Sequence, residues 1–450
     1  MYIKSIAASI AVAQTMVSAA TSSQDYWKSF ISGTDPLNIT LPNLKQVDSY
    51  DPVTECTYYE TPAQFHYDET KWPTMWETAT SNGMDKTAEF TALYNSIKWS
   101  SMPNIPVRKA TSDGGLDFTG YDQDKDQDCW WSASTCTKPK HPDINEDIYQ
   151  CPEPDTWGLT YDDGPNCSHN AFYDYLEQQK LKASMFYIGS NVVNWPYGAM
   201  RGIKDGHHLA DHTWSHQLMT TLTNKEVLAE LYYTQKAIKL VTGVTPLYWR
   251  PAFGDVDDRV RWIATQLNLT TILWNLDTDD WAAGNSEPVT TVQQNYDDFI
   301  AMGSNGTFKQ NGNIVLTHEI DNMTMSLAIK NLPQITKSYK NVMDVATCMN
   351  ITYPYQEKTI KFPSFADFVS GKKDTTAGSN STASAAGSSS GVASSKSSAA
   401  SGSAAGAASG SAASGSAVSA EQSTAATSAG FKPVPSFAVA AVLTFMAALL

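Results

Sequence analysis

Short apolar runs alternate with longer amphipathic runs between about residues 150 and 350. The runs WGLTY (157–161), ASMFYIG (183–189) and TILWNLD (271–277) have the length and apolar character of buried strands. Repeated strand–helix units of this length favour a parallel sheet that is closed or nearly closed into a barrel. The expected fold class is therefore α/β.

Two of the runs between these strands carry signals for the start of a helix. In SHNAFYDYLEQQK (168–180), Ser168 is placed to cap the amino end. In TNKEVLAELYYTQKAIKLVTG (223–243), Thr223 and Glu226 have the spacing of a capping box. Both segments are predicted to be helices of the strand–helix units.

Acidic, imidazole and guanidinium side chains occur where the predicted strands end. In chain order they are Asp162, Asp163, His212, His216, Arg250, Asp277, Asp280 and His318. Each of them alone is more typical of a solvated turn or of a surface or core position. Their joint occurrence at successive strand ends is not explained by packing, and the carboxyl ends of barrel strands are where active sites lie.

The two histidines of HTWSH (212–216) are four residues apart. On a helical turn, residues at this spacing face the same way, so both imidazoles could bind one cation. A catalytic zinc usually has three protein ligands, and the third would be a carboxylate, from Asp162 or Asp163. Because consecutive residues leaving a strand point to opposite faces, the other aspartate could act as a general base.

These residues resemble the motifs of the polysaccharide deacetylases of carbohydrate esterase family 4, and among them the secreted fungal chitin deacetylases. The motif segments, in the family's order, are TYDDGP (160–165), HTWSH (212–216), RPAF (250–253), DTDDW (277–281) and LTH (316–318). The resemblance covers roughly residues 145 to 360 and implies a distorted (β/α) barrel of the polysaccharide deacetylase type with an N-terminal extension. Tyr161 replaces the usual phenylalanine, and Ala252 stands where many members carry a second proline.

The resemblance implies a metal site and a general base. Asp163, His212 and His216 would bind one divalent metal ion, with zinc favoured over cobalt. Asp162 would be the general base, and Arg250 would hold it ionised and oriented.

The resemblance also implies a general acid. His318 would have this role, with Asp280 as its carboxylate partner and Asp277 as a less favoured candidate. A neighbouring carboxylate favours the imidazolium form, which the acid needs near neutral pH. The pocket for the acetyl group would be formed by the backbone N–H of Phe253 and by the side chains of Trp281 and Leu316.

The implied function is metal-dependent hydrolysis of N-acetyl groups from chitin or its oligomers, giving chitosan and acetate. Relatives that act on other acetylated glycans share the motifs, so the substrate stays open at this point. A glycoside hydrolase would explain the acids but gives no role to the two histidines. A catalytically silent, chitin-binding wall glycoprotein would have no reason to keep base, acid and three ligands together.

Composition divides the chain into five predicted regions. Residues 1–20 carry a lysine before an apolar run and small residues at a cleavage position, as in a signal peptide. An N-terminal extension (21–145), expected to pack on the barrel, precedes the catalytic domain (146–365). Residues 366–430 are rich in Ser, Ala and Gly and are expected to form a disordered stalk. Residues 431–450 favour a GPI-attachment signal over a tail anchor, because the apolar run is short and lacks basic flanks.

The expected secretion gives the six cysteines and the glycosylation motifs a meaning. In an oxidising compartment, Cys56, Cys129, Cys136, Cys151, Cys167 and Cys348 could form three disulfides among 15 possible connectivities. We expect Cys129 to pair with Cys136 and Cys348 to pair with one of the earlier cysteines. Asn-x-Ser/Thr motifs lie at Asn38, Asn166, Asn268, Asn305, Asn322, Asn350 and Asn380, typical of a secreted glycoprotein.

The charge of the chain bears on its partners. A formal net charge of −15 and a pI near 4.9 argue against nucleic acid, since that binding relies on clustered lysine and arginine. The expected partner is chitin or a chitin oligosaccharide, bound by a monomer. Contact with the membrane is expected only through a GPI anchor, at the cell membrane and cell wall.

Overall fold

Parallel strands form the sheet on which the rest of the described chain is built. The computed structural model describes residues 67–166 and 169–372. Within these residues the sheet has eight strands, and all of their pairings are parallel. The strands are β1 (Thr156–Gly164), β2 (Ser184–Tyr187), β3 (His208–Asp211), β4 (Tyr248–Trp249), β5 (Thr270–Thr271), β6 (Leu276–Asp277), β7 (Asn313–Leu316) and β8 (Asn341–Met343). Their spatial order is β5-β4-β3-β2-β1-β7-β6, and β8 also pairs with β1.

Helices lie between most of these strands along the chain, as the sequence predicts. They are α1 (Ala88–Ser96), α2 (Trp131–Ser134), α3 (Asn170–Gln179), α4 (Gly189–Asn194), α5 (Pro196–Lys204), α6 (Asn224–Thr242), α7 (Asp258–Gln266), α8 (Val289–Asn305), α9 (Asn322–Ser338), α10 (Val345–Cys348) and α11 (Phe365–Val369). The capping box expected at the start of α6 is confirmed, since Thr223 accepts from the backbone of Glu226 and Glu226 accepts from that of Thr223. The amphipathic pattern of this segment therefore identified both its type and its first turn.

The segment 271–277 is not the single strand that the sequence predicts. Thr271 belongs to β5 at one edge of the sheet, whereas Leu276 and Asp277 form β6 at the other edge. Five residues span at most about 18 Å, so the two edges must approach each other. The sheet therefore curls, and the expected distorted (β/α) barrel is confirmed.

Two element boundaries differ from the prediction. Strand β1 runs on to Gly164 and does not stop before Asp162. It continues because Asp162 N–H donates to the carbonyl of Thr317 (3.0 Å) and the Asp162 carbonyl accepts from Glu319 N–H (2.9 Å). Helix α3 begins at Asn170, and the expected cap, Ser168, lies outside the described residues.

Two disulfides are present in the described part of the chain. Cys129 pairs with Cys136, as expected, and Cys348 pairs with Cys151, which confirms the late bridge to an earlier cysteine. The second disulfide joins the segment before β1 to the end of α10. It therefore encloses all the strands of the sheet. Cys56 and Cys167 lie outside the described residues.

The described part of the N-terminal extension contacts the barrel through aromatic and polar side chains. The ring of Trp72 stacks on that of Trp214, with centroids 6.1 Å apart. Asp255, buried in the barrel, accepts hydrogen bonds from Trp130 Nε1 (2.9 Å) and Ser132 Oγ (2.8 Å). A buried carboxylate is stable only when such donors satisfy it, so the extension completes this part of the barrel.

Several expectations fall on residues that the structure does not describe. These are the signal peptide (1–20), the tail (431–450), the glycosylation motifs at Asn38 and Asn380, and residues 373–430 of the predicted stalk. The stalk was predicted to begin at residue 366, but residues 366–369 belong to helix α11, so the prediction of disorder was wrong there. Among residues 67–166 and 169–372, none of the helices has the length and apolar character needed to cross a membrane.

The two disulfides should differ in their effect on stability. Removal of Cys151–Cys348 by alanine substitutions should lower the free energy of unfolding by about 5 kcal/mol, because the bridge closes a loop of 197 residues in the unfolded chain. Removal of Cys129–Cys136, whose separation is 7, should cost about 2 kcal/mol by the same entropic argument. Chemical denaturation of both double variants measures the difference, and equal losses would contradict the argument.

Candidate active site

Three side chains able to bind a metal ion converge at the carboxyl ends of β1 and β3. Asp163 lies near the end of β1, and His212 and His216 follow β3. Asp163 Oδ1 is 3.4 Å from His212 Nε2 and 3.3 Å from His216 Nε2. One ligand atom from each residue lies within 4.8 Å of the other two. The structure thus brings these three sequence-predicted residues together.

The chemistry of this group fits a divalent metal ion. Asp163 Oδ1 is buried and has no hydrogen-bond partner among the described residues. Burial lowers the pKa of His216 to about 4, so its ring is neutral near pH 7. Burial would raise the pKa of Asp163, but the imidazoles of His216 and His212 outweigh it and hold that pKa below its usual range. A neutral imidazole, as at His216, and an ionised carboxylate, as at Asp163, are forms that coordinate zinc.

The segment 212–216 is an irregular loop, so the prediction of a helical turn was wrong. The backbone angle φ is positive at Thr213 (67°) and at His216 (55°). The Asp211 carboxylate accepts from Thr213 N–H (2.8 Å), and Thr213 Oγ1 accepts from His216 N–H (3.1 Å). These local hydrogen bonds bend the chain so that both imidazoles face Asp163. The convergence of the two histidines was predicted, but it results from this bend and not from the i, i+4 geometry of a helical turn.

A buried glutamate of α6 holds this loop in place. Glu230 Oε2 accepts from the backbone N–H groups of Trp214 (2.9 Å) and Ser215 (2.8 Å). Its Oε1 accepts from Ser215 Oγ (2.9 Å) and from the N–H of Ala79 in the N-terminal extension (2.8 Å). Burial raises the pKa of Glu230 to about 7, and these hydrogen bonds act in the opposite direction. Trp214 and Ser215, between the two histidines, thus fasten the loop to the core and to the extension.

Asp162, next to the metal group, is paired with a wholly buried arginine. Arg250 Nη1 donates to Asp162 Oδ1 (2.7 Å) and to Thr160 Oγ1 (3.0 Å). The Nε and Nη2 atoms donate to the carbonyls of Ile272 (3.3 Å) and Leu273 (3.2 Å). With its guanidinium held on three sides, Arg250 fixes the orientation of the Asp162 carboxylate.

The backbone of Arg250 also orients one of the histidines. His212 Nδ1 donates to the Arg250 carbonyl (2.8 Å), which fixes the tautomer in which Nε2 carries the free lone pair. That Nε2 is the atom that faces Asp163. The guanidinium lies 4.0 Å from the ring centroid of Phe186, so this part of the site is packed as well as hydrogen-bonded.

His318, which follows β7, forms an ion pair with Asp280. His318 Nδ1 is 2.6 Å from Asp280 Oδ1, and its backbone N–H donates to Asp280 Oδ2 (2.9 Å). Burial would lower the pKa of His318, but the carboxylates of Asp280, Asp163 and Asp162 outweigh it and raise that pKa to about 10. The imidazole is therefore protonated near neutral pH.

Asp277, the less favoured candidate for this pairing, has a different partner. Its Oδ1 accepts from the backbone N–H of Asp279 (3.0 Å). Burial and the nearby carboxylate of Asp279 raise the pKa of Asp277 to about 7. The hydrogen bond of His318 Nδ1 goes to Asp280.

The three residues expected to form the acetyl pocket differ in exposure. Phe253 is 41% exposed, and its ring centroid lies 4.4 Å from that of His216. Trp281 is half-buried, in a short 3₁₀ turn that begins at Asp280. Leu316 is buried at the end of β7, two residues before His318. All three therefore belong to segments that carry other candidate site residues.

Other polar residues near these motifs are structural. His207 and His208 are buried and lie outside the metal group, and burial lowers the pKa of each to about 3. Asp126, in an acidic loop of the extension, is buried and accepts from Trp130 N–H (2.8 Å). Its neighbouring cysteines form a disulfide, so that cluster does not bind metal.

Two residues that support the site, Glu230 and Asn191, were not predicted from the sequence. Glu230 lies between Val227 and Thr234 on the buried face of α6, and an acidic residue on such a face is a signal of a specific partner. Asn191 of α4 donates from Nδ2 to the Asp163 carbonyl (2.9 Å). That contact depends on the tertiary fold and has no signal in the sequence.

The variant Glu230→Gln tests the support of the metal loop. The amide NH₂ would face one of the N–H donors, so a buried donor loses its acceptor and the free energy of unfolding should fall by about 1–3 kcal/mol. Zinc titration should show weaker binding, because the loop that carries His212 and His216 is less well held. The control is Glu226→Gln on the same helix, which keeps an acceptor oxygen for Thr223. Wild-type stability and zinc affinity in Glu230→Gln would contradict this role.

The chain is similar to a known protein family, to two named proteins and to a solved structure. Residues 149–272 match the polysaccharide deacetylase family. The chain is 64% identical over 359 residues to a chitin deacetylase of Amylomyces rouxii, covering 79% of this chain and 85% of that one. It is 47% identical over 328 residues to chitin deacetylase 2 of Cryptococcus neoformans var. grubii serotype A, covering 72% and 69%. The solved structure of the chitin deacetylase from Colletotrichum lindemuthianum aligns at 26% identity with a TM-score of 0.43, covering 47% of this chain and 96% of that one.

The matched family segment includes the strand end that carries Asp162 and Asp163, the loop with both histidines, and Arg250. The sequence identity to the Amylomyces rouxii relative extends over most of both chains. The chain therefore belongs to the polysaccharide deacetylase family.

Proposed function

We propose that this protein hydrolyses N-acetyl groups of chitin or its oligomers, releasing acetate and leaving free glucosaminyl amines. The observation that carries the proposal is the convergence of three groups at one end of the barrel. These are the Asp163/His212/His216 ligand set, the Asp162–Arg250 pair and the His318–Asp280 pair. Chitin is the substrate named in both curated relatives described above.

Asp163, His212 and His216 would hold one divalent metal ion, for which we propose zinc, with cobalt as the alternative. Two imidazoles and a carboxylate are a usual ligand set of catalytic zinc. When bound, the ion supplies Lewis-acid polarisation of the acetamide carbonyl and acidification of water.

In this proposal Asp162 is the general base. Its carboxylate oxygen Oδ2 is 3.7 Å from His212 Nε2, beside the ligand set, while Oδ1 is bonded to Arg250. Oδ2, which does not contact Arg250, can accept a proton from the attacking water. The proton leaves as the oxygen of that water bonds to the carbonyl carbon of the acetamide. The hydrogen bond from Arg250 keeps the carboxylate aimed at that position.

His318 is the general acid. Its imidazolium form, maintained by Asp280, donates a proton to the amide nitrogen as the C–N bond breaks. The products are acetate and a free amine, and the proton taken up by Asp162 balances the one released by His318. The backbone N–H of Phe253 would contribute to stabilising the oxyanion, and Trp281 and Leu316 would surround the acetyl methyl group.

The cellular setting is part of the same proposal. The N-terminal segment and the C-terminal tail support a secreted protein attached through a GPI anchor to the cell membrane and cell wall, acting as a monomer. The two disulfides fit an oxidising compartment. Chitin of the wall would then be accessible to the site.

Acetate release from a tetramer of N-acetylglucosamine tests the proposal. The zinc-loaded protein should release acetate without shortening the sugar, and a chelator should abolish the release until zinc is restored. The variant Asp162→Asn should lower kcat by about 10²–10⁴, because the base is lost. Asp143→Asn, at an exposed aspartate outside the site, is the control. Shorter sugars as products, or full activity in Asp162→Asn, would refute the assigned chemistry.

The variant Asp280→Asn should change the pH dependence. A general acid must be protonated, so activity is lost as pH rises through its pKa, and Asp280 raises the pKa of His318. Without that charge, the alkaline limb of the kcat/KM profile should move to lower pH. Glu287→Gln, at an exposed position of the neighbouring loop, should leave the limb in place. An unchanged limb in Asp280→Asn would rule out this pairing as the source of the acid.

A further inference from the structure

We propose that Trp76, contributed by the N-terminal extension, forms a binding subsite for a sugar ring of the glycan chain next to the one being deacetylated. This inference rests on the proposed function for the class of its ligand. Trp76 lies outside residues 149–272, which match the family. It is nevertheless held against the metal site by hydrogen bonds to Ser190 and Asn191.

Two hydrogen bonds connect the Trp76 indole to the metal site. Its Nε1 donates to Asn191 Oδ1 (2.9 Å), and Asn191 Nδ2 donates to the carbonyl of Asp163 (2.9 Å). Asn191 is itself buried in α4. The indole nitrogen is thus separated from a metal-ligand residue by one amide group, which places the ring within reach of a neighbouring sugar unit.

The backbone of Trp76 is also fixed. Its N–H donates to Ser190 Oγ (2.8 Å), and Ser190 Oγ donates to the carbonyl of Trp214 in the metal loop (2.6 Å). Trp76 has a positive φ of 59°, which is unfavourable for a bulky residue. Such a conformation persists only where surrounding contacts enforce it, and it is found most often at functional positions.

The exposed surface of Trp76 is chemically suited to a sugar. Trp76 as a residue is 38% exposed, whereas the other tryptophans in the described residues are buried or half-buried. The one polar atom of the indole donates to Asn191, so the rest of the ring is apolar surface. A pyranose ring presents an apolar face of C–H groups that can stack on such a ring, and a ring already held in place loses little entropy on binding.

Binding measurements in the Asp162→Asn background separate this subsite from catalysis. With zinc present, isothermal titration of the N-acetylglucosamine tetramer should show roughly three- to tenfold weaker binding after Trp76→Ala. Trp76→Phe, which keeps an aromatic ring, should recover most of the affinity. The monosaccharide, which fills the acetyl pocket alone, should be affected less than the tetramer. Phe368→Ala is the matched control, because Phe368 is also an exposed aromatic residue. It belongs to α11, which lines a cleft with Glu153 and Asn341 at the amino ends of β1 and β8, the opposite end of these strands from the metal site.

The outcomes are distinguishable. Equal tetramer affinity in Trp76→Ala and in its parent would refute the subsite. An equal loss of affinity for monosaccharide and tetramer would also refute it, because that result indicates a distorted metal site. If the wild-type protein releases no acetate from the tetramer but Trp76→Ala weakens tetramer binding, the subsite stands and the proposed function fails. If the tetramer does not bind at all, both are refuted.

Discussion

The buried ion pair between Arg250 and Asp162 is the constraint on which the candidate site depends. Arg250 follows β4, Asp162 lies in β1, and the Arg250 carbonyl orients His212 after β3, so one residue sets the relation of three strand ends. A buried guanidinium is unfavourable unless its donors are used, and here they are taken up by Asp162, Thr160 and two backbone carbonyls. The carboxylate and the metal ligands are consequently positioned by the core of the barrel and not by a flexible loop.

The N-terminal extension is a structural part of the site. The loop that carries both metal-binding histidines has positive φ at Thr213 and His216, so it needs external support. Glu230 supplies that support and at the same time binds Ala79 of the extension, while Trp214 packs against Trp72. Deforming the extension would therefore disturb the ligand geometry, even though the extension provides none of the three metal-ligating residues.

The fold class and the capping box of α6 could be predicted from the sequence, because periodicity and capping are local properties. The residues that meet at the carboxyl ends of the strands could be predicted from the order of the five motif segments. The prediction was wrong for 212–216, where hydrogen bonds from Asp211 and Thr213 replace a helical turn. It was also wrong for 271–277, since barrel curvature divides an apolar run between two sheet edges. The partners of Asn191 and Glu230 could not be derived, because each contact joins segments distant in the chain. For Glu230 the sequence signals only that a partner exists, since an acidic residue lies on the buried face of α6.

The Cys151–Cys348 disulfide has a consequence for the lifetime of the protein. The strand-end residues from Asp162 to His318 all lie between these two cysteines, as does the exposed loop 284–288. A peptidase that cleaves this loop would leave two fragments still joined by a covalent bond. Because neither fragment could diffuse away, their local concentration would remain high and the halves would stay associated through the sheet. Cleavage of the backbone in loop 284–288 would therefore not by itself separate the residues that form the site.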